Sequence, residues 1–197
     1  MLDQYQKTAA LAAFDALNAQ DPRHSVVDGK EQPYELLYGY RMSERLAVYA
    51  PEASDALQLA ARAQHLERWS IPREDYPMDR VGYLKWRNDL KDFHAGKADK
   101  ILSLLNVDRE LIDRVRFLLQ KKQLRKDPET QTLEDVICLV FLEFYALDFA
   151  ADHKEEKVVS ILRKTWGKMS ERGQQTALAS DLDPAVRGLV EKALADG

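Results

Sequence analysis

Cysteine is almost absent from this chain: a single one, Cys138, occurs in 197 residues. That excludes a disulfide framework and any zinc site built on cysteine pairs. The apolar run Val136 to Phe144 around Cys138 marks it as a small core residue. Glycine and proline are also scarce, at 8 and 7 residues, which excludes fibrous repeats and low-complexity linkers. No run approaches the roughly 20 apolar residues needed to cross a bilayer. Leu2, Asp3 and Gln4 do not begin a basic and then apolar leader, so a soluble, cytoplasmic protein without a membrane partner is expected. A glycine-rich phosphate loop, a dinucleotide fingerprint and a Gly-x-Ser-x-Gly elbow are all missing, which removes the common nucleotide-binding and serine-hydrolase classes. A formal charge of -4 speaks against binding nucleic acid through overall electrostatics. The local basic run Lys121, Lys122, Arg125 and Lys126 sits at a helix end, where cations are favoured in any case.

What remains is an ordinary globular composition, 45% hydrophobic and 31% charged. Apolar residues recur at three- and four-residue spacing almost from end to end, and strict alternation is rare, so the expected fold is an all-α, single-domain helical bundle. A first helix is expected from Gln4 to Asn18, ending before Asp21-Pro22. A polar loop with Asp28-Gly29 leads to Pro33, which suits the first turn of a helix reaching Ala50. A third helix is expected over Glu52 to Trp69, followed by a loop with Pro72 and Pro77 that is rich in large side chains. Asp79 caps a long helix to Asn106, with Gly82 and Gly96 as bends, and Asp108 caps the next. Thr132 then opens a central helix, with Asp135 as its capping partner. From Val136 to Ala151 its only charged residues are Glu143 and Asp148. Helices over Glu155 to Lys168, after Ser170, and from Pro184 complete the chain.

Glu143 is the first candidate for chemistry, because its neighbours one turn away are Leu139, Val140 and Leu147. A carboxylate in that setting must be paired, hydrogen-bonded, protonated or metal-bound. His65 and His94 lie on two other expected helices. Together with Glu143 they form a nitrogen and oxygen set suited to a divalent metal ion, although a histidine of this kind is more often a satisfied core residue. Arg62, Arg68, Arg73, Arg80 and Arg87 are spaced so that several could face one pocket and clamp a phosphate or carboxylate. Pairing with Glu67, Glu74, Asp75, Asp79 and Asp89 is the structural alternative.

His65 and the later segment His94-Ala95-Gly96-Lys97-Ala98-Asp99, followed by the helix ending at Glu143, resemble in order and style the HD-domain phosphohydrolases. These are helical enzymes that hold divalent metal with histidines and aspartates. Leu66 stands where their paired aspartate is found, and Glu35 or Tyr38 is nearest to their first ligand position. The resemblance implies an HD-like core over residues 33–151 with a C-terminal helical appendage over 154–195. A second resemblance covers nearly the whole chain. Arg62-Ala63-Gln64-His65, Tyr76-Pro77-Met78, Tyr83-Leu84-Lys85-Trp86-Arg87 and Ile161-Leu162-Arg163-Lys164-Thr165-Trp166 resemble the signatures of a family defined only as a domain of unknown function, DUF4202.

The HD resemblance implies a metal-dependent phosphohydrolase acting on a phosphorylated small molecule or nucleotide. In it His65, His94, Glu143 and Glu35 hold a divalent metal, and Glu67 or Asp135 serves as general base. Arg62, Arg73, Arg87 and Lys122 then bind the substrate's charge. The alternative is a non-catalytic helical module that binds an anionic ligand or a protein partner, with the scaffold retained and the metal lost. A third reading, a purely structural or interaction protein, places His65, His94 and Glu143 in no common pocket.

Overall fold

The computed structural model describes residues 2–195, and these form an all-α protein with one small β-hairpin. The chain separates into two compact units, Met1–Gln123 and Leu124–Gly197.

The first unit begins with α1 (Gln4–Asn18), whose start is closed by a reciprocal capping box between Asp3 and Gln6. The polar stretch that follows folds into a hairpin of β1 (His24–Val27) and β2 (Lys30–Pro33). Asp28 and Gly29 both take positive φ, 50° and 72°, so the Asp-Gly pair makes a tight two-residue turn that sets Val27 against Lys30. Strand pairing here needs only four residues a side, too short for alternation to reveal it, and the expectation of a plain loop missed it. The ladder carries the chain to Pro33, so α2 (Tyr34–Tyr49) starts one residue later than its proline suggested.

Next, α3 (Asp55–Arg62) is capped by Ser54 and stops well short of Trp69. Residues 63–70 continue as turns ending in a 3-10 turn at Arg68–Ser70, with Glu67 in the left-handed region at φ 46°. The following helix, α4 (Arg80–Leu104), runs unbroken through both glycines expected to bend it. Gly82 is required for another reason: a Cβ there would lie 2.1 Å from the Pro77 carbonyl oxygen, so the loop returns over bare backbone. Finally α5 (Arg109–Leu119), capped by Asp108, turns Ile112, Val115, Leu118 and Leu119 inward against α3 and α4. Phe14, Met42, Leu46, Leu59, Leu66 and Leu102 are almost wholly shielded in this unit's core.

The second unit starts with α6 (Pro128–Phe144), which begins four residues earlier than Thr132. Asp127 caps it through the Thr130 amide, and Pro128 occupies the first turn, where a missing N–H goes unnoticed. The expected single helix to Ala151 breaks at Tyr145, and α7 (Ala146–Ala151) follows. The remaining helices are α8 (Glu155–Trp166), α9 (Glu171–Ala179) and α10 (Pro184–Ala195). Here α8 packs on α10, and α6 on α7 and α9. Among the described residues no helix is long and apolar enough to cross a membrane.

Candidate functional site

The most deeply buried carboxylate at a candidate position is Glu35, 1% exposed, rather than Glu143. Glu35 lies in the first turn of α2, where the helix dipole favours a negative charge. Its backbone N–H donates to Asp21 Oδ2 at 3.0 Å and its carbonyl accepts from Asn18 Nδ2 at 3.3 Å, so the end of α1 fixes where α2 begins. The hairpin brings Arg23 back to the same place. Its guanidinium donates to both oxygens of Asp21 and, at 2.8 Å, to Glu35 Oε1.

The other carboxylate oxygen, Oε2, accepts from Nδ1 of His65 at 2.9 Å. The His65 ring lies flat on Tyr38, with centroids 3.9 Å apart and planes 10° from parallel. Tyr38 is three residues beyond Glu35, on the same face of α2, so one helix supplies both the acceptor and the platform. On α4, His94 is 2% exposed and its Nδ1 donates to the Leu66 carbonyl at 2.9 Å. The two imidazoles stand 6.0 Å apart, centroid to centroid. Asn18 closes the frame, its Oδ1 accepting the Glu67 amide at 2.9 Å and holding the turn that carries His65.

Cations surround this pair. Arg68 lies over the Trp86 indole, 4.8 Å from its centre, and approaches Glu35 Oε1 only to 3.9 Å. Arg87 stands on α4 seven residues before His94, two turns away on the same face. Burial lowers the His65 pKa well below the ordinary histidine range, and Arg68, Arg87, Lys121 and Arg23 lower it further. His94 falls to about 3, by burial first and then by the charge of its neighbours. Both imidazoles are therefore neutral, with the proton on Nδ1 and a lone pair on Nε2. Burial also raises the Glu35 pKa, against the pull of Arg68 and Arg23, and lowers that of Arg68.

The expected site residues divide accordingly. His65, His94 and Glu35 come together in the first unit, and the charge of Arg87 is felt at His65. Arg62 instead lies over the Tyr40 ring and 3.5 Å from Asp15. Arg73 donates to the carbonyls of Tyr76, Pro77 and Asp79, and so staples its own loop. Glu67 pairs with Lys97 at 2.6 Å, and Lys122 is exposed. Glu143 and Asp135 belong to the second unit. Glu143 is half-buried, with its carboxylate oxygens shielded from solvent. Asp135 accepts from the Ser170 amide at 2.8 Å and from the Ser170 hydroxyl, which anchors the start of α9. Among the described residues no group of three or more His, Cys, Asp or Glu side chains is placed to hold a metal ion. His65 and His94 offer two nitrogens, and Glu35 is engaged in orienting one of them.

Sequence reasoning missed Asn18, Asp21 and Arg23. Their only signal was Asp21-Pro22-Arg23 lying just ahead of a turn-forming Asp-Gly pair, which gives no hint that a hairpin folds Arg23 onto Glu35. Residues 8–190 match the family described as a domain of unknown function, DUF4202. No curated protein and no solved structure matches the chain.

Proposed function

We propose that this chain, which belongs to the DUF4202 family, binds a small anionic molecule, phosphorylated in the simplest case, at the cluster of His65, Arg68, Arg87 and His94. One observation carries this function: half-buried Arg87 has no carboxylate partner among the described residues, yet its charge acts on both His65 and Arg68. Arg23 is occupied by Asp21 and Glu35, and Arg68 is only loosely held. Positive charge is thus left over beside two neutral imidazoles, and a planar guanidinium is suited to grip phosphate or carboxylate oxygens. Calorimetric titration with inorganic phosphate, a phosphate monoester and a dicarboxylate tests it. Binding of at least one of them is expected, weakened about tenfold or more in Arg87→Gln, since a hydrogen bond to a charged group is worth about 1.5–3 kcal/mol. An absence of binding to all three, or affinity unchanged in the variant, would overturn it.

Metal-dependent phosphohydrolysis is the second reading, and the anchoring of the two histidines favours it. Each Nδ1 donates to an oxygen, the Glu35 carboxylate or the Leu66 carbonyl, which is how metal-binding imidazoles are commonly oriented. His65 and His94 would hold the ion, Glu35 would orient His65, and the metal would supply Lewis-acid activation of water. On this reading, purified protein carries near-stoichiometric divalent metal, and His65→Ala loses it. Protein that takes up no metal, or keeps it equally in the histidine variants, sinks it.

A further inference from the structure

His94 Nε2 is buried, and among the described residues no hydrogen-bond partner reaches it. With its proton committed to the Leu66 carbonyl through Nδ1, the neutral ring can only accept at Nε2. His65, whose side chain is partly exposed, shares the proton arrangement. Its Nδ1 faces a carboxylate oxygen, an acceptor, so its proton is held there and its Nε2 also carries a lone pair. The cluster therefore presents two kinds of group at once: guanidinium donors on Arg68 and Arg87, and imidazole acceptors on rings 6.0 Å apart.

An anion made only of acceptor oxygens fits half of this arrangement. It satisfies the arginines but sets oxygen lone pairs against nitrogen lone pairs and leaves the buried Nε2 unpaired, which typically costs about 1–3 kcal/mol for one such group. An anion with a hydroxyl on the charged group fits both halves. A divalent cation would also satisfy the lone pairs. Arg68, Arg87 and Lys121 already act together on His65, however, and further positive charge there is disfavoured.

We propose, resting on the anion-binding function above, that the ligand carries its own hydrogen-bond donor on the charged group, as hydrogen phosphate or a phosphate monoester monoanion does. Its hydroxyl donates to His94 Nε2 while its other oxygens accept from Arg68 and Arg87. The site thereby distinguishes phosphate from sulfate, two anions of similar shape that differ near neutral pH in whether they bear a proton. His94 is then a specificity-determining residue, Glu35 orients His65 directly, and Asn18 holds the turn that bears His65 and the Leu66 carbonyl.

The test is calorimetric titration of the full chain, stripped of metal with a chelator, with inorganic phosphate and inorganic sulfate at matched ionic strength. Phosphate is expected to bind at least about tenfold more tightly, because a site built to meet a hydroxyl rejects the analogue lacking it. His94→Asn keeps an amide donor for the Leu66 carbonyl and removes the Nε2 acceptor. In this variant phosphate affinity is expected to fall to the level of sulfate. Equal binding of the two anions by the unmodified chain would leave the anion-binding function standing and overturn the donor requirement. Binding of neither would overturn the donor requirement, and the anion-binding function would then be decided by the monoester and dicarboxylate titrations. Phosphate binding that appears only on adding a divalent metal would overturn it as well, and so would full discrimination in the asparagine variant. If His94→Asn does not fold, the two titrations of the unmodified chain decide the matter.

Discussion

Glu35 and His65, thirty residues apart in sequence, share a 2.9 Å hydrogen bond from Nδ1 to Oε2, and the imidazole is held flat by Tyr38 from the same helix as Glu35. The carboxylate thereby fixes the proton on one ring nitrogen and frees the other. Because Glu35 is 1% exposed and receives both His65 and Arg23, removing it leaves the His65 Nδ1–H without its acceptor, while the half-exposed Arg23 keeps Asp21. Glu35→Ala is expected to lower stability by about 1–3 kcal/mol, the usual cost of leaving a shielded hydrogen-bonding group without its partner. Glu35→Gln should lose less. Denaturant midpoints for both variants check this, and a midpoint unchanged in the alanine variant would contradict the pairing.

Asn18 bridges two segments that meet nowhere else in sequence, donating to the Glu35 carbonyl and accepting from the Glu67 amide. Asn18→Ala should cost about 1–3 kcal/mol, since the partly buried Glu67 amide loses its acceptor and the Glu35 carbonyl loses a donor. Weaker anion binding should accompany the loss, because the turn bearing His65 is no longer held. Stability and phosphate affinity are measured together. Loss of stability with unchanged affinity would show that the turn is held by other contacts.

Leu66 occupies the position where the HD resemblance calls for an aspartate, and it is wholly buried. Its side chain is part of the core, while its carbonyl holds His94. Leu66→Asp is therefore expected to destabilise the fold by on the order of 4–5 kcal/mol or more, as burial of an unpaired carboxylate in an apolar site does. A variant that folded normally and gained metal binding would instead place that position at a metal centre.

Asp135 should behave as a structural carboxylate. It accepts from Ser170, and a Cβ on Gly173 would come within 2.8 Å of its carboxyl group, so α9 is seated closely upon it. Asp135→Asn is expected to lower the melting temperature while leaving phosphate affinity unchanged. A loss of affinity without a stability change would restore it as a candidate for chemistry.

Acid should weaken the fold through the histidines. His65 and His94 titrate below their ordinary value in the folded state, so between the unfolded value, 6.5, and the folded value, about 3 for His94, the unfolded chain binds more protons. Stability is then present above 6.5 and is lost progressively as pH falls. Glu35 acts in the opposite sense. Its raised pKa lets the folded state take up a proton first, which adds stability at the acid end. Because that gain accrues at pH values above the ordinary carboxylate value of 4.5 and ends there, the loss is expected to be steepest below 4.5, down to the His94 value of about 3. Thermal midpoints across that window, compared with those of His94→Asn, check this. A flat profile would mean that the two imidazoles are not buried neutral.

The sequence by itself determined the helical character, most of the helix starts and the residue types at the site. Asp3, Asp79, Asp108 and Ser170 cap helices through bonds spanning two or three residues, and Ile112, Val115, Leu118 and Leu119 mark a buried face by their spacing. These are local effects, and a local pattern suffices to show them. Which residues share a site was decided only by the tertiary structure. Glu143 stood out because its neighbours along the helix are apolar, whereas Glu35 is buried by segments distant in sequence: Asn18 and Asp21 from behind, Arg23 from the hairpin and His65 from the turn after α3. Periodicity reports what surrounds a residue on its own helix. Burial, pairing and the choice of which imidazole nitrogen is free depend on what the fold packs against it.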